Sequence, residues 1–166
     1  MLFYIPFDQR PKVLVTGSGG YLGTVLVPLL AQRNPVIGYD TQLFGNAIEG
    51  APGVEFIKGD IRDFDAFEKA CEGVSTVIHL GAVVTDALVD LNPSLGYEVN
   101  VQATSGIIQR AYQAGVRRFI FASSSSVYGS YGHPAVETDS TNPETEYARQ
   151  KLGAEIPVRD WSLKPG

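Results

Sequence analysis

The chain has 166 residues, 44% of them hydrophobic and 19% charged against a usual charged share of about 25%, a composition that excludes disorder and leaves no room for two full domains. Thirteen Lys and Arg against eighteen Asp and Glu give a net charge of −5, and only Arg117 and Arg118 are adjacent basic residues, which argues against a nucleic-acid partner. The longest apolar stretch, residues 21–31, is interrupted by Gly, Thr and Pro and falls well short of the roughly 20 residues a membrane span needs.

Residues 1–7 are apolar but lack a preceding basic region and a small-residue cleavage site, so they read as an N-terminal extension (1–11) and not as a secretory signal. Cys71 is the single cysteine, no internal disulfide can form, and a cytoplasmic setting is the default expectation. Short β-branched runs at 13–15, 36–39, 54–57, 76–80 and 119–122 alternate with helical spacing at 21–32, 65–72 and 99–114. Such alternation predicts an α/β fold, a doubly wound parallel sheet of about five strands built from βαβ units. The strands are nearly continuous apolar runs, as expected where helices cover both faces. Residues 123–143 are rich in Ser, Gly, Pro and Thr with no helical period and read as a substrate-side loop. A helix over 144–156 follows, with Pro157 removing a backbone donor, and 157–166 reads as a C-terminal tail to one domain spanning 1–166.

Thr16-Gly17-Ser18-Gly19-Gly20-Tyr21-Leu22-Gly23 lies between the first strand and the first helix. Glycines there permit a tight turn, backbone approach to a pyrophosphate and close helix-to-strand packing, while the helix N-terminus favours an anion. Asp40 ends the second strand near the offset of roughly 20 residues at which a carboxylate accepts from adenosine ribose hydroxyls. With no Lys or Arg at 18–24 or 41–46 to meet a 2′-phosphate, NAD is expected over NADP. No His, Cys, Asp and Glu cluster has metal-ligand spacing, so no metal is expected. His79, ending an apolar strand, reads as a satisfied buried histidine or cofactor-wall residue, and Cys71 as a packed small hydrophobe.

From residue 12 to 155 the sequence resembles the extended short-chain dehydrogenases/reductases, which include the nucleotide-sugar epimerases and dehydratases, and the resemblance implies a Rossmann-like sheet in the order 3-2-1-4-5. The spacing of Gly17, Gly20 and Gly23 is similar to that family's extended glycine motif. Gly59-Asp60-Ile61-Arg62-Asp63 looks like the segment whose Asp60 and Ile61 flank the adenine, and His79-Leu80-Gly81-Ala82 like the fourth-strand motif lining the cofactor. Asn100 matches the helix Asn that supports the site, Ser123-Ser124-Ser125-Ser126-Val127-Tyr128-Gly129 the serine motif, and Tyr147-Ala148-Arg149-Gln150-Lys151 the Tyr-x-x-x-Lys pair. The resemblance implies Ser124, Tyr147 and Lys151 as catalytic residues. It implies Gly17, Gly20, Tyr21, Leu22, Gly23, Asp40, Asp60, Ile61, Leu80, Gly81, Ala82, Asn100, Tyr147 and Lys151 as the NAD-binding set. It also implies hydride transfer at a secondary alcohol of a nucleotide-activated sugar, the alternatives being a non-catalytic NAD-binding module and a reductase of another alcohol or ketone.

The pair is chemically self-consistent. Tyr147 and Lys151 share one helix face, and bringing a phenol from a pKa of about 10 to near 7 takes roughly 4 kcal/mol. An ammonium at 4 to 5 Å supplies about 3 to 4 kcal/mol at an effective dielectric of 20. Family members continue well past Gly166 into a sixth strand and a substrate domain that this sequence lacks. The fifth strand is therefore expected to be an unpaired sheet edge that promotes association into a homo-oligomer, unless residues 1–7 or 161–166 cover it.

Overall fold

The computed structural model describes residues 6–130 and 132–162; parts of the expected N-terminal extension (1–5) and C-terminal tail (163–166) lie outside them. Five parallel strands, β1 (Lys12–Thr16), β2 (Val36–Asp40), β3 (Val54–Lys58), β4 (Val74–His79) and β5 (Arg118–Phe121), form one sheet in the order β3-β2-β1-β4-β5. Val13 lies opposite Val36 on one side and Thr76 on the other, so β1 is central.

The pleat of β1 divides the core. Val13 and Val15 face helix α1 (Tyr21–Ala31), where they pack with Val27, Ala31 and Ile48. Leu14 faces the opposite layer, where Phe67 of α2 (Phe64–Ala70) and Ile107 and Ala111 of α5 (Thr104–Gln113) close over Tyr39 and Val77. Both faces are covered, which is why the strand sequences do not alternate.

Two helices absent from the sequence-based expectation lie between residues 86 and 97. Thr85 caps α3 (Asp86–Leu91) by accepting from the amide of Leu88 at 3.4 Å, and Asn92 caps α4 (Pro93–Tyr97) by accepting from Leu95 at 3.1 Å, with Pro93 at the first helical position. A π-helical stretch, Glu98–Ala103, joins α4 to α5, so the expected helix over 99–114 starts a turn and a half earlier and is wound more loosely in its middle. Thr85 has φ 78° and ψ 145°, a backbone conformation natural only to glycine, at the mouth of the site described below.

The expected tail at 157–166 is corrected in part. Helix α6 (Glu146–Ser162) runs through Pro157, because the one backbone bond that proline removes is outweighed by packing beyond it: the Trp161 ring meets Phe119 edge-on at 5.3 Å. Trp161 thereby covers part of β5, although Ile120 remains 44% exposed. Phe7 lies at the other side of the molecule, against Gly53 before β3, and does not cover β5.

Candidate active site

The turn after β1 and the loop after β4 meet backbone to backbone. Gly17 has φ 69°, and a Cβ there would stand 2.7 Å from the Gly81 amide nitrogen. Gly23, on the inner face of α1, would bring a Cβ to 2.6 Å from Ser18 Cα, so α1 sits against the turn with no space for a side chain. Gly20 caps α1 without a side-chain bond, and Tyr21 and Leu22 are 89% and 59% exposed. This end of α1 therefore offers backbone amides and a positive dipole end, a cradle for an anion.

Across the crevice, Asp40 is aimed by two amides: Gly19 donates to Oδ2 at 3.1 Å and Gln42 to Oδ1 at 2.8 Å. Asp60 is committed to Arg62, which contacts both carboxylate oxygens at 2.6 to 3.1 Å and holds the carboxyl below its usual range. Arg62 also reaches Glu98 at 3.2 Å, and Ile61 beside it is buried. Ser18 Oγ, under Ile48 and Gly38, is buried with no partner among the described residues, an orphaned polar atom next to this crevice.

Beyond β5, Ser124 caps a 3-10 turn, Ser125–Tyr128; its Oγ lies 2.7 Å from Ser126 Oγ and accepts from the Ser126 amide at 3.2 Å. Ser124 also stands near the phenol of Tyr147, in the first turn of α6, close enough to act on its titration. Lys151, one turn further on, is 5% exposed, with Nζ 4.1 Å above the Phe121 ring. Ser124, Tyr147 and Lys151 thus come together where β5 and α6 meet.

The protein's own groups around Tyr147 hold its phenol above the usual value. Burial pushes the phenol up, the neighbouring Ser124 hydroxyl pulls it down, and the Asp86 carboxylate pushes it up again, for a net rise. The Lys151 ammonium, turned onto Phe121, does not offset this burial, and is itself pushed down to about 8 by desolvation. Below pH 8 the fold therefore carries a buried ammonium, a penalty relieved as pH rises from 8 toward 10.5. Lys151→Met, which keeps contact with the Phe121 ring, is expected to raise stability at pH 7 by about 3 kcal/mol and to abolish hydride transfer. Urea unfolding of both proteins at pH 7 and pH 10 checks this; the gain should shrink at the higher pH.

Asn100 stands behind the site. It is 2% exposed; its amide nitrogen donates to Val83 O and to Gln150 Oε1, both at 3.0 Å, and its Oδ1 accepts from the Val83 amide at 2.8 Å. It positions the loop after β4 rather than offering free polar atoms. Gln150, missed in the sequence because it reads as a spacer between Tyr147 and Lys151, is 2% exposed and also donates to Pro93 O at 3.2 Å and Glu146 Oε1 at 3.3 Å. It ties α6 to α4 and the π-helical stretch.

A parallel sheet of this order, with a glycine turn at one side of its C-terminal edge and a Ser, Tyr and Lys trio at the other, defines a dinucleotide-binding domain of the dehydrogenase type. The chain belongs to the NAD dependent epimerase/dehydratase family, whose model matches residues 13–166. It is 34% identical over 157 residues to an N-acetyl-alpha-D-glucosaminyl-diphospho-ditrans,octacis-undecaprenol 4-epimerase of Escherichia coli O157:H7, a match covering 94% of this chain and 45% of the relative. It is 31% identical over 156 residues to a 3 beta-hydroxysteroid dehydrogenase/Delta 5-->4-isomerase of Mycobacterium tuberculosis, covering 87% and 41%. Its fold superimposes with a TM-score of 0.85 and 29% identity on a UDP-glucose 4-epimerase from Brucella ovis solved in complex with NAD, covering 93% and 48%. The chain thus spans about half the length of the proteins it matches.

Proposed function

We propose that this chain binds NAD along the C-terminal edge of its sheet, and that the protein transfers hydride at a secondary alcohol of a nucleotide-activated sugar, as an epimerase or dehydratase. The observation that carries the reading is the placement of Ser124, Tyr147 and Lys151 at the same sheet edge as the Gly17 to Gly23 turn and Asp40. The cofactor fits the residues present: the α1 N-terminus suits a pyrophosphate, and Asp40, whose oxygens are held by two amides, suits ribose hydroxyls. The loop Leu80–Ala82, held on Thr16, supplies the opposite wall.

When bound, NAD supplies the hydride acceptor and, oxidised, a positive charge. Tyr147 removes the proton from the substrate hydroxyl, and Ser124 donates a hydrogen bond to the same oxygen. Lys151, anchored over Phe121, supplies positive charge that lowers the phenol once a ligand draws its ammonium round. Because burial alone raises Tyr147, the base is expected to become competent only in the loaded site.

Calorimetry with NAD and NADP, followed by a panel of nucleotide sugars, tests the reading. A 2′-phosphate against Asp40 is a partly desolvated like-charge contact, so NADP should bind at least about tenfold more weakly. Equal or tighter NADP binding would overturn the cofactor assignment. The similarity to a steroid dehydrogenase supports a second reading, hydride transfer at a steroid alcohol. Cofactor reduction by a 3β-hydroxysteroid and by no nucleotide sugar would replace the first reading with the second.

A further inference from the structure

We propose that His79 is a positioning residue, which through Thr16 on one side and Thr104 on the other holds the loop 80–83 against the glycine turn. It deepens the reading above, since that loop is the wall of the NAD site.

The hydrogen positions follow from which atoms can donate. A carbonyl oxygen only accepts, so the 2.8 Å bond from Thr104 Oγ1 to Asn100 O uses the Thr104 hydroxyl hydrogen. Thr104 Oγ1 then accepts across 3.0 Å from His79 Nε2, which must carry the ring proton. His79 Nδ1 is left bare and accepts from Thr16 Oγ1 at 2.6 Å. The Thr16 oxygen in turn accepts from the Gly81 amide at 3.2 Å. Four bonds run in one sense from Gly81 through Thr16, His79 and Thr104 to Asn100, each donor used once.

The imidazole is fully enclosed, 1% exposed, with the rings of Phe119 and Phe121 at 5.9 and 5.7 Å. Its burial holds it neutral, as the single tautomer requires. The chain of bonds ends at the residue whose side chain grips both backbone groups of Val83. The loop is therefore pinned twice, at Gly81 from the β1 side and at Val83 from the π-helical stretch, and His79 joins the two pins. Gly17 and Gly81 touch backbone to backbone, so a shift of the loop at Gly81 is transmitted to the turn that opens α1.

Three variants test this. His79→Leu keeps the apolar volume and removes both bonds; Thr16→Val keeps shape and removes the Gly81 acceptor; His79→Asn places an amide oxygen where Nδ1 stands. His79→Leu and Thr16→Val are expected to speed hydrogen exchange at the Gly81 and Val83 amides while leaving Leu14 and Val77 slow, and to weaken NAD binding by about tenfold or more. His79→Asn should restore slow exchange at Gly81. Nitrogen NMR of the imidazole should place its proton on Nε2. Unchanged exchange at Gly81 in both disruptive variants, equal acceleration across the whole sheet, or a proton on Nδ1 would overturn the proposal. Thr16→Val carries the test if His79→Leu does not fold. Failure of the parent protein to bind NAD would defeat the proposed function, and the exchange measurements would still decide the role of His79.

Discussion

Replacing Tyr147 with Phe is expected to lower hydride transfer by about two to four powers of ten while leaving NAD affinity within a few-fold, because the phenol serves the substrate hydroxyl. The fold should tolerate the change. The Tyr147 oxygen lies near Ser124, and Ser124 has Ser126 as a partner 2.7 Å away whether or not the phenol is present. No buried polar atom is orphaned, so the change in stability should stay within about 1 kcal/mol. The absorbance of reduced nicotinamide under single-turnover conditions, beside calorimetry with NAD, separates the two effects. Full turnover by the Phe variant would remove Tyr147 as the base.

Acid should destabilise the protein through His79. The imidazole titrates near 6.5 when exposed and is pushed down to about 3 in the fold, first by burial and then by the Lys151 charge. Below pH 6.5 the unfolded chain takes up a proton that the folded one refuses, so stability is fully present above 6.5 and is lost as pH falls toward 3. At 1.36 kcal/mol per unit this one group removes about 3 kcal/mol between pH 6.5 and 4.5, and about 5 by pH 3. Asp60, whose folded value is lowered by Arg62, adds a loss of the same sign only below its ordinary value of 3.8. Urea unfolding across pH 7 to 4.5 should show the slope in the parent and a flatter line in His79→Gln, which has nothing to titrate. Equal slopes in the two proteins would mean that His79 is not the group responsible.

Both core faces and the glycine turn were legible because each depends on local pattern, namely β-branched runs, apolar spacing and Gly at fixed offsets, while strand order was legible only through the family resemblance. Ser124, Tyr147 and Lys151 were legible from motifs whose members lie close in sequence. What escaped was long-range or short-lived. Gln150 meets Asn100 across 50 positions of sequence, and nothing beside it marks it as buried. Helices α3 and α4 have six and five residues, too short for an apolar period, though Thr85 and the Asn92-Pro93 pair were capping signals to be read. Pro157 was read by its own propensity, and the packing of Trp161 on Phe119 prevailed. Where the Lys151 ammonium points was not legible, because spacing on a helix gives proximity of backbone, while the side chain lies over Phe121.

The central place of β1 has a consequence for synthesis. Thr16 and its partner His79 are 63 positions apart, and β4 is the strand that covers that side of β1. A ribosome adding about 5 to 20 residues each second needs some 3 to 13 seconds to make the intervening chain. During that interval β1 can pair with β2 alone, with β3 adding to the far side of β2, which leaves Val13, Leu14 and Val15 with one ladder unformed. The nascent chain thus exposes its central strand as a temporary edge, and it is in those seconds, before β4 emerges, that a chaperone or a neighbouring nascent chain has access to the middle of the future sheet.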